Sequence, residues 1–327
     1  MVLERTALGK VKHKRREGYW RIYDAAQGKE LEQIITTLNQ VLDEEGNPYP
    51  QHKRGRPQVH SPKKIALICV LTVIMGISYR NMESLLHMLR LPWQEPIPDH
   101  STIHEAFKHI SEAYLNRVLS KTASLCIAES GWVKGVVAAD STGVKTDRYQ
   151  TVELKMQRTR KVITLKWHVT AILDYNIILT AKITDGDVND SRIGGSMLQR
   201  LPRLEGSVFD ADRGYDSNRN CMIAYRRGMK PNIKQRKTGG ANKGLKYRKR
   251  AALEFDVAIY HFRGLVEGVF GALEVERGLE TRCRLKRTQR CWGLALAVGH
   301  NLGVLNRLRV ARQLDVELRP ILQNVEA

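Results

Sequence analysis

Three acidic residues that lie far apart in the sequence, Asp140, Asp212 and Glu267, are of the type that can hold divalent cations. Asp140 follows an apolar run at residues 135–139, and Asp212 comes shortly after another at residues 207–209; such runs are typical of buried strands. If these strands are neighbours in a mixed sheet, both carboxylates emerge at the same edge. Gathered carboxylates repel one another unless cations lie between them, and such oxygen ligands suit Mg²⁺. Two ions roughly 4 Å apart can activate a water or a 3′-hydroxyl and stabilise the leaving oxygen of a phosphoryl displacement.

The third acid belongs to a helix that the apolar spacing predicts from about residue 259 to residue 279. Tyr260, Arg263 and Glu267 are spaced i, i+3, i+7 and should project on one side of it, so that Glu267 can meet the other two carboxylates. Three glycines flank this polar face: Gly264, Gly268 and Gly271. Each costs about 1 kcal/mol relative to alanine in a helix interior, which is explained if something approaches the backbone closely. An exposed Arg–Glu pair on an ordinary amphipathic helix is the alternative.

Positive charge is spread along the whole chain. Lysine and arginine total 54 against 34 aspartate and glutamate, which gives a formal net charge of +20 and a pI near 9.9. This excess indicates an extended polyanion as partner, and nucleic acid is the first candidate because phosphate neutralisation supplies most sequence-independent binding. Residues 234–250 contain eight basic residues and no acidic one, so we expect phosphate contacts there. The expected contacts are Lys234, Arg236, Lys237, Lys246, Arg248, Lys249 and Arg250.

A short basic linker at residues 53–57 resembles the minor-groove hook in which Arg-Gly-Arg-Pro lies extended along A·T-rich DNA. Its candidate contacts are Arg54 and Arg56, although a tether that contacts phosphates without reading bases is the favoured interpretation. From residue 61 to about residue 130, short helices with tight turns resemble a helix-turn-helix DNA reader. Its third helix would be the reading helix and offers three polar side chains: His104, Glu105 and Lys108. A structural or dimerisation bundle is the alternative.

At residue 131 the hydrophobic pattern changes, and the predicted order becomes strand, strand, strand, helix, strand, helix, strand and a long helix. This order indicates an α/β fold with a mixed sheet and flanking helices at residues 131–314. It follows a basic segment and linker at 1–60 and a small all-helical DNA-binding domain at 61–130, and a tail at 315–327 follows it. The five scattered cysteines form no CxxC pair and are expected to be reduced thiols. No run of about 20 apolar residues occurs, so we predict no membrane span and a cytoplasmic protein.

Three motifs, taken in order, resemble the signature regions of bacterial and archaeal insertion-sequence transposases of the Asp-Asp-Glu (DDE) type. They are Asp-Ser-Thr-Gly at 140–143, Asp-Arg-Gly-Tyr-Asp at 212–216, and Tyr260-x-x-Arg263-x-x-x-Glu267. The resemblance covers roughly residues 130–310. It implies a ribonuclease-H-like catalytic domain that uses two Mg²⁺ or Mn²⁺ ions to cleave DNA at transposon ends and to join the freed 3′-hydroxyl to target DNA. It also implies that Asp140, Asp212 and Glu267 are metal ligands, and that Tyr260 and Arg263 contact DNA near the cut end.

The implied partner is double-stranded DNA, both the inverted-repeat ends of a transposon and the target, bound by a homodimer that is associated with the nucleoid. One residue departs from the family pattern, because Glu274 stands where a lysine that binds a terminal phosphate is expected. Either Lys286 or Arg277 replaces that lysine, or the chain is a catalytically impaired copy that acts only as a sequence-specific DNA-binding protein. A nuclease that cleaves but never joins strands is a third reading. Asp210 lies on the same strand face as Asp212, and the Arg-Gly-Tyr that follows favours Asp212.

Overall fold

The computed structural model describes residues 2–5, 11–14, 19–50, 59–89, 96–146, 165–236 and 245–316. It opens with two short antiparallel strands, β1 (Val2–Arg5) and β2 (Val11–Lys14). Three of the residues predicted to contact DNA, Arg54, Arg56 and Lys237, lie outside the described residues.

Among the described residues, six helices precede the main sheet. They are α1 (Tyr19–Gln27), α2 (Glu30–Glu45), α3 (Pro62–Ile74), α4 (Tyr79–Leu89), α5 (His100–His109) and α6 (Glu112–Ser130). Pro62 occupies the first turn of α3, where its missing N–H is not needed. The side chains of Asp99 and Ser111 cap α5 and α6 by accepting hydrogen bonds from main-chain N–H groups. The four helices predicted between residues 61 and 130 are confirmed, whereas α1 was not predicted.

The most apolar of these helices is α3, and its residues from Ile65 to Ile74 are all buried within the protein. Among the described residues, no single helix is long and apolar enough to cross a membrane. Only α3 and α4 taken together, with a bend of 113° between them, match a span in length and composition.

Six strands form the central sheet. They are β3 (Val136–Thr146), β4 (Leu165–Ile172), β5 (Ile177–Asp185), β6 (Val208–Ala211), β7 (Lys230–Ile233) and β8 (Glu280–Thr281). The order across the sheet is β5-β4-β3-β6-β7, and β8 pairs with the end of β3. The strands β3, β4 and β5 are antiparallel neighbours, whereas β6 and β7 run parallel to β3. The predicted mixed sheet is therefore confirmed, and β4 and β5 form a hairpin within it.

Six further helices flank this sheet. They are α7 (Asp190–Leu198), α8 (Asn218–Arg226), α9 (Lys246–Leu253), α10 (Val257–Tyr260), α11 (Glu267–Arg277) and α12 (Lys286–Gln313). The long helix α12 packs closely against both the sheet and α3, because it has glycines at the contacts. A Cβ added to Gly293 would lie 2.6 Å from Ile183, and one added to Gly299 would lie 2.6 Å from Ile74. One hydrophobic cluster consequently contains residues of the N-terminal helices, the sheet and α12. The domain boundaries stay predictions.

Two segments near the candidate carboxylates differ from their predictions. The strand β3 continues well beyond Asp140, so this carboxylate lies within a strand and not at its end. The helix predicted at residues 259–279 is broken, because a 3-10 helix at His261–Val266 separates α10 from α11. A 3-10 helix has three residues per turn, so Tyr260, Arg263 and Glu267 do not follow the single α-helical face that their spacing predicts. The helix α9 was not predicted either.

Candidate active site

Asp140 lies in β3, and Asp212 directly follows the neighbouring strand β6. The parallel register of β3 and β6 places Ala138 opposite Asp210. Asp140 lies two residues beyond Ala138, and Asp212 lies two residues beyond Asp210. Side chains two residues apart on a strand point to the same face, so continuing this register places the two carboxylates at the same level and on one face. This is the relation that the sequence predicts for these two acids.

A 3-10 turn directly after β6 fixes the side chain of Asp212. Asp212 caps the turn Arg213–Tyr215, and its Oδ1 accepts a hydrogen bond from the N–H of Gly214 at 2.7 Å. A Cβ added to Gly214 would lie 2.8 Å from Asp212 Oδ1 and 2.8 Å from Asp190 Oδ2. The distance between Asp212 Oδ1 and Asp190 Oδ2 is therefore at most twice 2.8 Å. Only glycine fits between the two carboxylates without displacing one of them.

Arg263 reaches Asp140 because its segment packs on the same face of β3. Ala138 belongs to a hydrophobic cluster with Ile259 and Val266, which lie on either side of Arg263 in the chain. Asp140 projects from this face two residues later, and Arg263 Nη1 donates a hydrogen bond to Asp140 Oδ2 at 2.8 Å. The side chains of Arg263 and Asp140 are only 23% and 17% exposed. Water therefore screens this ion pair less than it screens a surface salt bridge.

Glu267 is exposed at the start of α11 and acts on the same site through its charge. Burial raises the pKa of Asp140 above its ordinary value, whereas the N–H of Ser141 and the charge of Arg263 lower it. The negative charges of Asp212 and Glu267 raise the pKa of Asp140 further, because a second carboxylate nearby disfavours its ionised form. Asp212 and Glu267 thus both act on the ionisation of Asp140.

The donors at this edge are of the right chemical type for Mg²⁺ or Mn²⁺, but they are not arranged as a metal site. Within the parts of the chain that the structure describes, no group of three or more His, Cys, Asp or Glu side chains could hold a metal ion. Arg263 already binds one oxygen of Asp140, and Glu267 is exposed. The expected meeting of all three carboxylates around cations is therefore not formed in this arrangement, where the cation beside Asp140 is a guanidinium.

Asp210, the other candidate for the second acid, is fully buried in β6. Its Oδ1 accepts a hydrogen bond from Asn232 Nδ2 at 3.3 Å, and its Oδ2 is buried with no partner among the described residues. Burial raises the pKa of Asp210 to about 8, so this carboxyl is protonated at neutral pH. A neutral, buried carboxyl is a poor ligand for a hydrated divalent cation, and the geometry accordingly favours Asp212.

Asp190 is a fourth carboxylate at this edge, and the sequence analysis gives it no role in the site. The cap of α7 is Asn189, and Asp190 Oδ1 accepts instead from Lys166 Nζ at 3.1 Å and from Ser141 Oγ at 3.5 Å. His168 Nδ1 lies 3.6 Å from the same oxygen. Burial lowers the pKa of His168 to about 4, so its ring is neutral at neutral pH and Lys166 supplies the positive charge. The alternation of Lys166 and His168 on β4 was the one sequence signal for this cluster.

Part of the predicted DNA-binding set lies near the 3-10 helix and on the outside of α9. Lys234 follows β7, and its Nζ lies 4.9 Å from the centre of the Tyr260 ring, a cation–π contact. Lys246 and Lys249 are exposed on α9. Arg250 is exposed as well, and its Nε donates to Glu254 at 2.8 Å. Lys246, Lys249 and Arg250 make the exposed side of α9 basic.

Two arginines of the same set contact the turn after Asp212: Arg248 is buried, and Arg236 is exposed. Arg248 is 6% exposed, and its Nε and Nη2 donate to the two oxygens of Asp216, both at 2.8 Å. Arg236 donates to main-chain carbonyl oxygens of the turn after Asp212. In this arrangement both guanidinium groups bind the protein itself.

The family model described as "Transposase DDE domain" matches residues 131–302, which is more than half of the chain. The chain belongs to the DDE transposase family. The matched residues carry the mixed sheet, Asp140, Asp212 and Glu267, so the fold is that of a ribonuclease-H-like transposase domain. The chain is also 27% identical over 173 residues to an uncharacterized protein of Aquifex aeolicus (strain VF5). That alignment covers 53% of the chain and about half, 52%, of the relative.

Membership in the DDE family does not by itself assign the Tyr-Arg-Glu signature, which stays a prediction. Its three glycines have open space around them, since a Cβ added to any of them would meet nothing within 4 Å among the described residues. No described part of the chain makes the close approach that the sequence led us to expect. Glu274 is exposed, and Lys286, a suggested replacement for the missing lysine, has its Nζ 2.7 Å from Asp185 Oδ2. The side chain of Arg277 lies outside the described residues.

Proposed function

We propose that this DDE transposase-family protein binds the ends of a mobile element, cleaves DNA strands there and joins the freed 3′-hydroxyl to target DNA. The observation that carries the proposal is the parallel register of β3 and β6, whose last pair is Ala139 and Ala211, the residues directly before Asp140 and Asp212. The charge of Glu267 acts on Asp140. Joining two ends requires two active sites, so we propose a homodimer on the DNA.

The proposal includes two divalent cations, Mg²⁺ or Mn²⁺, held by Asp140, Asp212 and Glu267. When bound, such ions activate the attacking water or 3′-hydroxyl and stabilise the leaving oxygen. In the described arrangement Arg263 binds Asp140 and Glu267 is exposed, so such a site requires Arg263 to release Asp140 and Glu267 to turn toward the other carboxylates.

Basic side chains around the carboxylates support DNA as the substrate. Tyr260 and Lys234 contact each other beside the 3-10 helix, and Lys246 and Lys249 are exposed on α9. We propose that they bind phosphates near the cut end, and that the helices between residues 61 and 130 bind the element end. Phosphate contacts of this kind make DNA affinity fall steeply with salt concentration.

The test uses the chromosomal DNA on either side of the coding sequence, which should contain short inverted repeats. Labelled fragments that carry these repeats are incubated with the protein and Mg²⁺ or Mn²⁺, and the products are separated on denaturing gels. Asp140→Asn should abolish cleavage, by about 10³-fold or more, and leave binding to the ends intact. Asp24→Asn, at an exposed position on α1, is the matched control. Unchanged cleavage by Asp140→Asn would refute the assignment, and cleavage without a strand-transfer product would indicate a nuclease.

A catalytically impaired copy is the second candidate, because an exposed carboxylate at Glu274 stands where the family pattern expects a lysine for the terminal phosphate. Such a protein would still bind the ends, as gel shifts would show, without nicking at any Mg²⁺ or Mn²⁺ concentration. Glu274→Lys distinguishes the two cases. It should create cleavage in an impaired copy, whereas in an active enzyme it should change the rate of a reaction that already occurs.

A further inference from the structure

A buried ion pair lies directly behind the turn that carries Asp212. Asp216 ends this turn, and both of its oxygens accept hydrogen bonds from the guanidinium of Arg248 at 2.8 Å. The main-chain N–H of Arg236 donates to the same carboxylate at 2.8 Å. The side chains of Arg248 and Asp216 are 7% and 3% exposed. A bidentate ion pair of this kind fixes the relative orientation of the two side chains, which a single hydrogen bond does not.

Arg236 binds the same turn at its carbonyl oxygens. Its Nε donates to the carbonyl of Arg213 at 2.7 Å, and its Nη2 donates to the carbonyl of Gly214 at 3.1 Å. Arg248 Nη2 donates in turn to the carbonyl of Arg236 at 3.0 Å. The turn is thereby held at two carbonyls and at its last side chain, while the N–H of Gly214 binds the carboxylate of Asp212.

The same contacts attach α9 to the turn. Asn218 Oδ1 accepts a hydrogen bond from the main-chain N–H of Arg248 at 3.1 Å, near the start of α9. Gln235 Nε2 donates to the carbonyl of Arg248 at 2.6 Å. Lys246 and Lys249 are exposed on this helix. One side of α9 therefore holds the site turn, and the other presents positive charge to solvent.

We infer that Asp216, Arg236 and Arg248 form a clamp that positions Asp212 for the reaction. The clamp acts through the turn, since its side chains bind Asp216 and the carbonyl oxygens of the turn. It gives Arg236 and Arg248, which the sequence suggested as phosphate contacts, partners within the protein. DNA that binds Lys246 and Lys249 then contacts α9, the helix that positions Asp212 through the clamp. This inference depends on the proposed function only for its effect on the reaction, and its geometric part can be measured without any activity.

The geometric part is tested by hydrogen–deuterium exchange in the free protein. The variants are Arg248→Lys, which keeps the charge but cannot reproduce the two-point contact, and Arg248→Gln, which removes the charge. Arg226→Gln, at an exposed position on α8, is the matched control for the lost charge. Both Arg248 variants should speed exchange in residues 212–216 about tenfold or more, and Arg226→Gln should leave it unchanged. Equal exchange in all the proteins would overturn the clamp.

The functional part is tested by measuring the Mn²⁺ concentration that gives half-maximal cleavage of end DNA, together with DNA affinity and melting temperature. Residues that orient a metal ligand typically change metal affinity or activity about 10- to 100-fold when replaced. Arg248→Lys should raise the half-maximal Mn²⁺ concentration by that factor at unchanged DNA affinity. A lower melting temperature with an unchanged Mn²⁺ requirement would assign the pair a structural role and overturn the inference. Failure of the unaltered protein to cleave would instead refute the proposed function, and the exchange experiment would still decide whether the clamp exists.

Discussion

Replacing Arg263 should make the free protein bind a divalent cation more tightly. In the described arrangement Arg263 Nη1 lies 2.8 Å from Asp140 Oδ2, so a cation can reach that oxygen only by displacing the guanidinium. Arg263→Met keeps much of the aliphatic side chain and removes the charge and every donor. The released carboxylate then faces a site with one positive charge fewer, and both changes favour an added cation.

The size of the effect follows from the burial of this ion pair. A hydrogen bond to a charged partner contributes about 1.5–3 kcal/mol, and each ~1.4 kcal/mol corresponds to tenfold in affinity. Because the two side chains are only 23% and 17% exposed, solvent does not screen this contribution away and the range applies. We therefore expect Mn²⁺ to bind Arg263→Met about 10- to 100-fold more tightly than the unaltered protein. The charge of Arg263 also lowers the pKa of Asp140, so its removal raises that pKa and the gain should shrink as the pH falls.

Titration calorimetry or the electron paramagnetic resonance signal of free Mn²⁺ measures this affinity without DNA and without turnover. Arg312→Met is the matched control, because Arg312 Nη1 pairs with Glu129 at 2.8 Å but is 74% exposed and far from β3 in the chain. The control should bind Mn²⁺ as the unaltered protein does. Equal or weaker binding by Arg263→Met would show that the guanidinium does not compete for the cation position, and the reasoning would then be wrong.

Three further outcomes are expected. Burial raises the pKa of Asp210 from 3.8 to about 8, so the folded state holds a proton that the unfolded state releases. The free energy of unfolding should therefore fall as the pH rises from about 4 to about 8, by up to ~1.4 kcal/mol per pH unit. Asp210→Asn should remove this slope in denaturant titrations without abolishing cleavage. Gly214→Ala should slow cleavage strongly, since its Cβ would lie 2.8 Å from two carboxylate oxygens, whereas Gly28→Ala, whose nearest neighbour would be 3.9 Å away, should not. Lys234→Gln should weaken binding to all DNA sequences and reduce the slope of log affinity against log salt by about 1, and an unchanged slope would exclude a phosphate contact.

The elements that position the site were predictable where local chemistry decides structure. The strand β7 and the helix α4 have the bounds that their apolar patterns and turn residues indicate. The sequence placed Asp140 and Asp212 at one edge on the condition that their strands are neighbours, and the structure shows that β3 and β6 pair in parallel. The burial of β6 on both faces disfavours Asp210 as a ligand, in keeping with the preference for Asp212.

Other features depend on contacts between distant segments, which no local pattern encodes. The periodicity at residues 259–279 fits one helix, yet packing of Ile259 and Val266 against β3 accompanies a 3-10 segment between them. The basic run at 234–250 gives no sign that Arg248 faces inward, because its partner Asp216 belongs to another loop. The contacts of Asp190 could not be predicted for the same reason, because the sheet brings together partners that are distant in the sequence.

Asp140 and Asp212 are held in place more firmly than Glu267 and Arg263, and this difference decides which residues can move to complete a cation site. Asp140 is part of a strand ladder, and Asp212 is fixed by the N–H of Gly214, so moving either breaks main-chain hydrogen bonds. Glu267 and Arg263 belong to the junction between a 3-10 helix and α11, where Glu267 is exposed and the three glycines face open space. The required movement should therefore occur in this junction, because it disrupts no strand pairing. DNA that approaches the glycines offers Arg263 a phosphate in place of Asp140. Under the proposed function, Arg263 pairs with Asp140 at one stage of the reaction and contacts DNA at another.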